Sequence, residues 1–441
     1  MNKYTVIRNL RLVDGTGAPA VENAVFVFLN GEMLKDDKLI YCGSAEDYDP
    51  AVLEDKEAEI FELDLSDSTY TVLPGLINTH VHLSLVLPYL PYYVDKFGDA
   101  YRAMVSYRRA CEALLVGVTT VRGVGNADTS ELAVRNAINK GMFGGPRIIS
   151  CGSALCPHAG HGHNTPRNVE CSGPDEFIRA LRGQLAQGVD QIKLMYTGGL
   201  AGAVEGTMDI QMTEAEVAAC IEVAHNNSKK VSAHLSNNAA IAQAVRLGMD
   251  GVEHGYHMTE ETVRMMAEKG TFYTPTLTVS HCNDYLRKNG AAEWHLKKQE
   301  AAAEEHIRSC RRAVEAGVTI TTGTDLLPSD PIEGTFATTR EAELLVEEVG
   351  MSPLEAIRCA TLNGAKLCEV DKITGTLEAG KTGDFIIVEG KPDQNIRDLR
   401  NLRLVSMGCR LVKSEMPAMT RQKFNPMMSG MPCDGGVFRI W

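Results

Sequence analysis

Six side chains with the chemistry to hold metal ions stand at regular places along the sequence. His80 and His82 are two apart in LINTHVH, so on an extended strand both project from the same side. Lys193 lies between Ile192 and Leu194, His234 near the end of KKVSAHL, His254 in GVEHG, and Asp325 at the end of GVTITTGTD. Imidazole nitrogen and carboxylate oxygen suit Zn2+, and also Mn2+ or Fe2+. An H-x-H pair alone is weak evidence, and a lone histidine at a strand end is more often simply hydrogen-bonded. A lysine in an apolar strand can merely extend its ammonium to the strand end. Six such residues falling at strand ends in one consistent order are not explained that way.

The elements that must position them read as short buried strands alternating with helices. Strand candidates are 73–82, 117–123, 145–152, 190–195, 229–235, 251–255, 270–277 and 317–325. Amphipathic runs such as 213–227 and 259–270 separate most of them. Thr213 and Thr259 are suited to N-cap two of these helices, and Thr213 with Glu216 forms a capping-box pattern. The alanine-rich, charged segment 293–317 is a strong helix by propensity, its charges forming a solvated face. Eight strands alternating with helices over 73–372 predict an α/β fold, a (β/α)8 TIM-like barrel, in which strand ends converge on one catalytic mouth. A doubly wound sheet is the competitor, but no G-x-G-x-x-G follows the first strand. Residues 1–72 and 373–441 are instead strand-rich. Val25, Val27 and Leu29 alternate in one run, and Phe385–Val388, Leu402–Met407 and Cys409–Val412 are compact strands in the other. Neither end is large enough for a comfortable core alone, which predicts one composite β-sandwich built from both termini.

Composition narrows the function further. The 441 residues are 44% hydrophobic and 23% charged, an ordinary globular balance. A net charge of −13 argues against general affinity for nucleic acid or anionic membrane surfaces, so a small-molecule substrate is expected. The twelve cysteines show no C-x-x-C spacing and read as reduced thiols. The start lacks an uninterrupted apolar core and no stretch approaches a membrane span, which makes the cytoplasm the expected compartment.

The motifs together resemble the amidohydrolase superfamily. They are PGLINTHVH (74–82), GVTTVRG (117–123), QIKLMYTGG (191–199), VSAHL (231–235), GVEHG (251–255) and TGTD (322–325), with SPLEAIRCATLNGAKL and GTLEAGKTGDFIIVEG in the tail. More narrowly the chain is similar to the branch of imidazolonepropionase-related proteins and prolidase-like Xaa-Pro and Xaa-Arg dipeptidases. That resemblance implies a cofactor of two divalent ions, Zn2+ first, bridged by carboxylated Lys193. His80, His82 and Asp325 would hold the more buried ion, and His234 and His254 the second. A bridging hydroxide would be the nucleophile and Asp325 the proton carrier. The implied activity is hydrolysis of an amide or peptide C–N bond in a dipeptide or N-acyl amino acid. The alternative is a cyclic-amide hydrolase (imidazolonepropionase-like) or a one-metal aminohydrolase. Several relatives assemble, so a homo-oligomer is compatible, and the apolar tail 424–441 is either a packed terminus or a subunit contact.

Three positions depart from the family pattern without removing a metal ligand. Asn78 and Gly123 stand where Asp is common, and Ser236 where an aromatic residue or His is common. The loop CPHAGHGHN (156–164) carries His158, His161 and His163. The branch often shows a GHG element there, which makes His161 the candidate to polarise the substrate. Tyr196 and Tyr256 are candidate substrate contacts or packing aromatics. Arg122 and Arg340 are candidates to pair with a substrate carboxylate, although Arg122 is equally suited to tying the barrel together.

Overall fold

In the computed structural model, residues 2–31, 36–85, 98–126, 128–163 and 168–416 are described; the tail 424–441 and Asn164 lie outside them. Both ends of the chain enter one eight-stranded sheet. Its order is Arg410–Ser414, Leu402–Met407, Phe385–Glu389, Tyr70–Pro74, Lys3–Leu12, Val21–Asn30 and Lys38–Ser44, with Glu59–Asp64 parallel to Lys3–Leu12. The alternation expected from the sequence decides the faces. Val25, Val27 and Leu29 pack with Tyr4 and Val6 on one side, and Phe26 and Phe28 pack with Phe385 and Leu404 on the other.

Phe26 and Phe385 lie three strand positions apart, about 14 Å in a flat sheet. Their ring centroids are nevertheless only 4.8 Å apart. The sheet is therefore rolled until its ends approach. Leu39 N donates to Lys381 O at 2.9 Å and Arg410 Nε to Asp37 Oδ2 at 2.7 Å. The expected sandwich takes the form of this single rolled sheet, which encloses an aromatic core that neither terminus could supply alone.

The middle of the chain is α/β with parallel strands. Leu76–Val81, Val118–Gly123 and Arg147–Ser150 form one ladder. Val169–Cys171, Leu155–Pro157, Ile192–Met195, Val231–Leu235, Gly251–His254 and Phe272–Thr274 form a second. Among the described residues the strands thus do not make one continuous ring, and individual hydrogen bonds span the gaps. Asp190 N donates to Ser150 O at 2.8 Å, Thr321 N to Tyr273 O at 2.9 Å, and Thr79 N to Thr322 O at 2.8 Å. The segment 317–325, expected as the eighth strand, contributes only a bridge at Ile320. Its backbone still bonds to both neighbours, with Tyr273 N donating to Thr319 O at 3.0 Å besides the two bonds above, and its hydroxyls add to them: Thr322 Oγ1 donates to Ile77 O at 2.9 Å and Thr321 Oγ1 meets Thr79 Oγ1 at 2.9 Å.

Helices cover the strands as their caps and faces dictate. Thr213 and Glu216 form the expected capping box on Glu214–His225. Thr259 stands at the N-cap of Glu260–Lys269 but makes no cap bond, because its hydroxyl faces Asn238 Oδ1 and Thr262 Oγ1 instead. The helix Glu293–Glu315 buries Leu296, Ile307, Cys310 and Ala313 and leaves its charges outside. Among the described residues no helix is long and apolar enough to cross a membrane, and the eleven cysteines described are free, all but Cys42 buried.

Candidate metal centre

The strand Leu76–Val81 delivers His80, and the residue after it is His82. Asp325 reaches them because its own N–H and that of Thr324 donate to His80 O, at 3.0 and 3.2 Å. Asp325 takes φ +54° and His254 φ +68°, left-handed values that cost a non-glycine residue energy and are typical of functional sites. Asp325 Oδ1 lies 3.3 Å from His80 Nε2 and 3.0 Å from His82 Nε2. The three ligand atoms fall within 4.8 Å of one another, the one such group among the described residues.

This donor set fits a divalent cation. Ligands about 2.0–2.1 Å from a tetrahedral Zn2+ are about 3.3 Å apart, close to the spacing seen here. His80 Nε2 is also buried without a well-formed hydrogen bond. Burial pushes the Asp325 carboxyl up, but His80 and His82 outweigh it and hold it well below the usual carboxylate range. The ion implied by the fold family therefore has an anionic ligand and two imidazoles ready for it.

The far side of each ring is fixed. His80 Nδ1 meets Glu253 Oε2 at 2.8 Å, and His82 Nδ1 meets Gly125 O at 2.6 Å. Gly125 must be glycine, with φ +149° and room for a Cβ only 3.3 Å from His82 Cε1. Glu253 is wholly buried and was not anticipated from the sequence; the only hint was an acid inside the strand GVEH. Burial raises its carboxyl, yet Arg122, Lys193 and His80 hold it well below the ordinary range. Arg122 is the chief counter-charge. Its NH1 donates to Glu253 Oε1 and to Thr79 O, both at 2.8 Å, its Nε to Gln191 Oε1 at 2.5 Å, and its NH2 to Ser232 Oγ at 2.7 Å. The expectation of a substrate-binding Arg122 is thereby corrected: its donors are spent between the parallel strands.

His234 and His254 gather beside this group without joining its 4.8 Å cluster, and Lys193 lies within electrostatic reach of Asp325. The His254 ring centroid is 4.8 Å from that of His80 and 4.4 Å from that of His234. Burial, then the neighbouring cationic groups, take both His234 and His254 well below their ordinary value, so they are neutral imidazoles with lone pairs for a metal. Thr276 Oγ1 holds His254 Nδ1 at 2.7 Å, which leaves Nε2 as donor; Gly198 O holds His234 Nε2 at 3.1 Å, which leaves Nδ1. Lys193 is 1% exposed and makes no ion pair among the described residues. Burial draws its ammonium below the ordinary lysine value although Glu253 and Asp325 act against this.

Of the loop histidines, only His161 enters the site. Its ring stacks on His234 at 4.3 Å, and its Nδ1 meets Glu205 Oε1 at 2.5 Å. His158 is largely exposed against Glu170, and His163 folds back to Gly160 O at 2.8 Å. Arg340 and Tyr196 are corrected as substrate contacts. Arg340 is enclosed by Glu333, Glu343 and Glu347. Tyr196 is fully buried with its hydroxyl on Gln243. Tyr256 stacks on His254 with near-parallel rings 5.6 Å apart and lies within electrostatic reach of Asp325, so it stays beside the site. The departures from the family pattern have local causes. Asn78 Nδ2 donates to Thr324 and Thr338 hydroxyls at 2.9 and 2.8 Å, which a carboxylate could not do. Ser236 Oγ donates to Gly198 O at 3.2 Å.

Known proteins share this arrangement of chain. A model of the amidohydrolase family matches residues 71–437. Ochratoxinase from Aspergillus niger is 29% identical over 431 residues, covering 92% of this chain and 85% of that protein. Its crystal structure aligns with a TM-score of 0.79 at 28% identity, over 96% of this chain and 99% of that one. A Xaa-Pro dipeptidase with methionine bound in its active site aligns with a TM-score of 0.79 at 28% identity, over 92% and 99% of the two chains. A prolidase complexed with N-methylphosphonate-L-proline aligns at 0.79 and 26% identity, over 93% and 100%. With a family model spanning most of its length and relatives matched along nearly all of theirs, the chain belongs to the amidohydrolase family, in its prolidase-like branch, and is a hydrolase of carbon–nitrogen bonds.

Proposed function

We propose that this chain cleaves the amide bond of a small substrate, a dipeptide or N-acyl amino acid, at a two-metal centre. The centre sits at the mouth of a (β/α)8 barrel formed by 73–372, and 1–72 with 373–441 make the second unit. The observation that carries the reading is the convergence of His80, His82 and Asp325 beside a buried Lys193 that makes no ion pair among the described residues. His80, His82 and Asp325 would hold one Zn2+, His234 and His254 the other, and Lys193, carboxylated by CO2, would bridge them. Bound there, the ions would lower the pKa of water and polarise the scissile carbonyl.

The chain's own groups have separate tasks. Asp325, held ionised, takes a proton on a carboxylate oxygen and passes it to the leaving nitrogen, which is too basic to depart as an anion. Glu253 and Gly125 O keep the ligand nitrogens of His80 and His82 aimed at the site. His161, oriented by Glu205, offers Nε2 to the substrate. With Arg122 and Arg340 spent on internal carboxylates, its ring is the group left to meet a substrate carboxylate.

The names of the relatives set the screen: Xaa-Pro dipeptides, other dipeptides and N-acyl amino acids, and ochratoxin, each with amino-acid and ammonia release followed in parallel and metal counted per chain. Amino-acid release with two metals per chain is expected. Ammonia release from an aminopurine or aminopyrimidine as the sole activity, with one metal, would hand the assignment to the aminohydrolase alternative.

A further inference from the structure

Glu131 opens the helix Ser130–Asn139 and is fully buried at the end of the strand Val118–Gly123. Its Oε1 accepts the Ser150 hydroxyl at 2.5 Å, while Oε2 is buried with no partner among the described residues. The carboxyl occupies the space where residue 123 would carry a side chain. A Cβ on Gly123 would collide with Oε1 and stand 2.6 Å from both Cδ and Oε2. Gly123 has no positive φ, so space rather than backbone conformation excludes a side chain there. Gly123 and Ser150 are direct partners in the ladder, which places the Glu131 carboxyl across two adjoining strand ends.

From that point the chain turns to hold a metal-site histidine. Gly123 O accepts Cys151 N at 3.1 Å and Gln191 Nε2 at 3.2 Å, and Val124 N donates to Val81 O at 3.1 Å. Gly125 O then holds His82 Nδ1, and Asn126 Oδ1 accepts Ser84 N at 3.0 Å. A buried carboxyl with an idle oxygen is costly, and burial pushes this one up to about 7. An apolar side chain would fill the space without that penalty but could not accept the Ser150 hydroxyl.

We propose that Glu131 is a positioning residue for His82: its carboxyl stands in for the side chain that Gly123 lacks and braces the turn whose Gly125 carbonyl aims His82 at the metal site. The proposal rests on the reading of His82 as a ligand. Glu131→Gln keeps the shape and an acceptor for Ser150; Glu131→Ala removes both. In Glu131→Ala/Gly123→Asp a carboxyl returns from the other side, about 1.5 Å beyond the new Cβ and inside the vacated volume.

The test measures zinc affinity by chelator competition, kcat and KM separately, and the His82 ring nitrogen resonances of the metal-free chain. Expected is a loss of about 10–100-fold in zinc affinity for Glu131→Ala, as for other outer partners of metal ligands. That variant should also show a fall in kcat at unchanged KM and a shifted His82 resonance. Glu131→Gln should stay within about threefold of the parent, and the double variant should regain at least about tenfold over Glu131→Ala. Equal zinc affinity and an unmoved His82 resonance in Glu131→Ala overturn the brace, as does a folded double variant no tighter than Glu131→Ala. Should the double variant not fold, equal affinities of the Gln and Ala variants overturn it. A parent chain that takes no zinc refutes the metal reading instead, and the His82 resonances of the variants then decide the brace.

Discussion

Arg122→Met separates an arginine that ties the parallel strands together from one that binds substrate. Arg122 and Glu253 are 1% and 0% exposed, so solvent screens neither charge. Removing the arginine leaves a buried carboxylate without its counter-charge, a loss of about 3–5 kcal/mol in such pairs. Gln191, Thr79 O and Ser232 lose donors as well, which places the expected cost at the upper end of that range. The pH dependence has a definite sign. Because Glu253 is held below its ordinary value in the folded chain, its contribution is present above the carboxylate range and fades as pH falls through its folded value. The destabilisation should therefore be larger at pH 7 than at pH 4, read from urea unfolding of the metal-free protein. Arg122→Met/Glu253→Gln should recover most of the loss, because no unpaired charge remains. Arg122→Lys should not, since one ammonium cannot reach acceptors arranged for a planar fork. The reasoning is refuted if Arg122→Met unfolds at the parent urea concentration and only raises KM for carboxylate-bearing substrates.

Asp325→Asn should lower turnover by several orders of magnitude with the fold intact, because an amide cannot take the proton; near-parent kcat with metal retained would falsify its role. Lys193→Ala should lose most activity and at least one metal per chain, and short carboxylic acids should restore part of both; an unmodified Lys193 beside a fully loaded, active centre would exclude the carbamate. In the metal-free chain, buried neutral His234 and His254 bind fewer protons than they do unfolded. Stability should thus drop as pH falls below about 6.5, by about 1.4 kcal/mol per pH unit for each histidine. His234→Asn should show a shallower drop between pH 7.5 and 5.5 in urea midpoints; parallel slopes would contradict the assignment.

What the sequence made legible was chemistry written in residue type at a strand end. His80, His82 and Asp325 could be placed because a strand aims alternate residues one way and a barrel gathers strand ends. The supporting partners were not legible, since pairing is decided by residues far apart in the chain. Arg122 and Glu253 are separated by 131 positions, and nothing local to either names the other. The same applies to Arg340, enclosed by acids on its own and a neighbouring element, and to Tyr196 and Tyr256, whose aromatic character serves packing as readily as binding. At the level of fold, alternation in AVFVFLN located a strand but could not show that both its faces are covered. That depends on Phe385, from the other end of the chain, arriving against Phe26. The segment 317–325 was legible only in part: its threonines are good strand formers and its backbone bonds to Tyr273 and Thr79 as a strand would, yet only Ile320 pairs as a bridge.

The outer partners of the four histidines also give the site a direction. His80 is backed by the carboxylate of Glu253, His82 by the carbonyl of Gly125, His254 by the hydroxyl of Thr276 and His234 by the carbonyl of Gly198. A carboxylate behind an imidazole raises the basicity of its other nitrogen more than a neutral acceptor does. With Asp325 adjoining His80 and His82, negative charge is concentrated on that side, whereas His234 and His254 have only neutral groups behind them. Lys193, buried without an ion pair, lies in the strand whose register places it beside Ser232, a partner of Arg122. An ammonium there adds to the positive charge of Arg122, but an anion derived from it would be countered by the same guanidinium. The arginine thus balances Glu253 and stands within electrostatic range of Lys193, and this is a reason for burying a guanidinium between the strands.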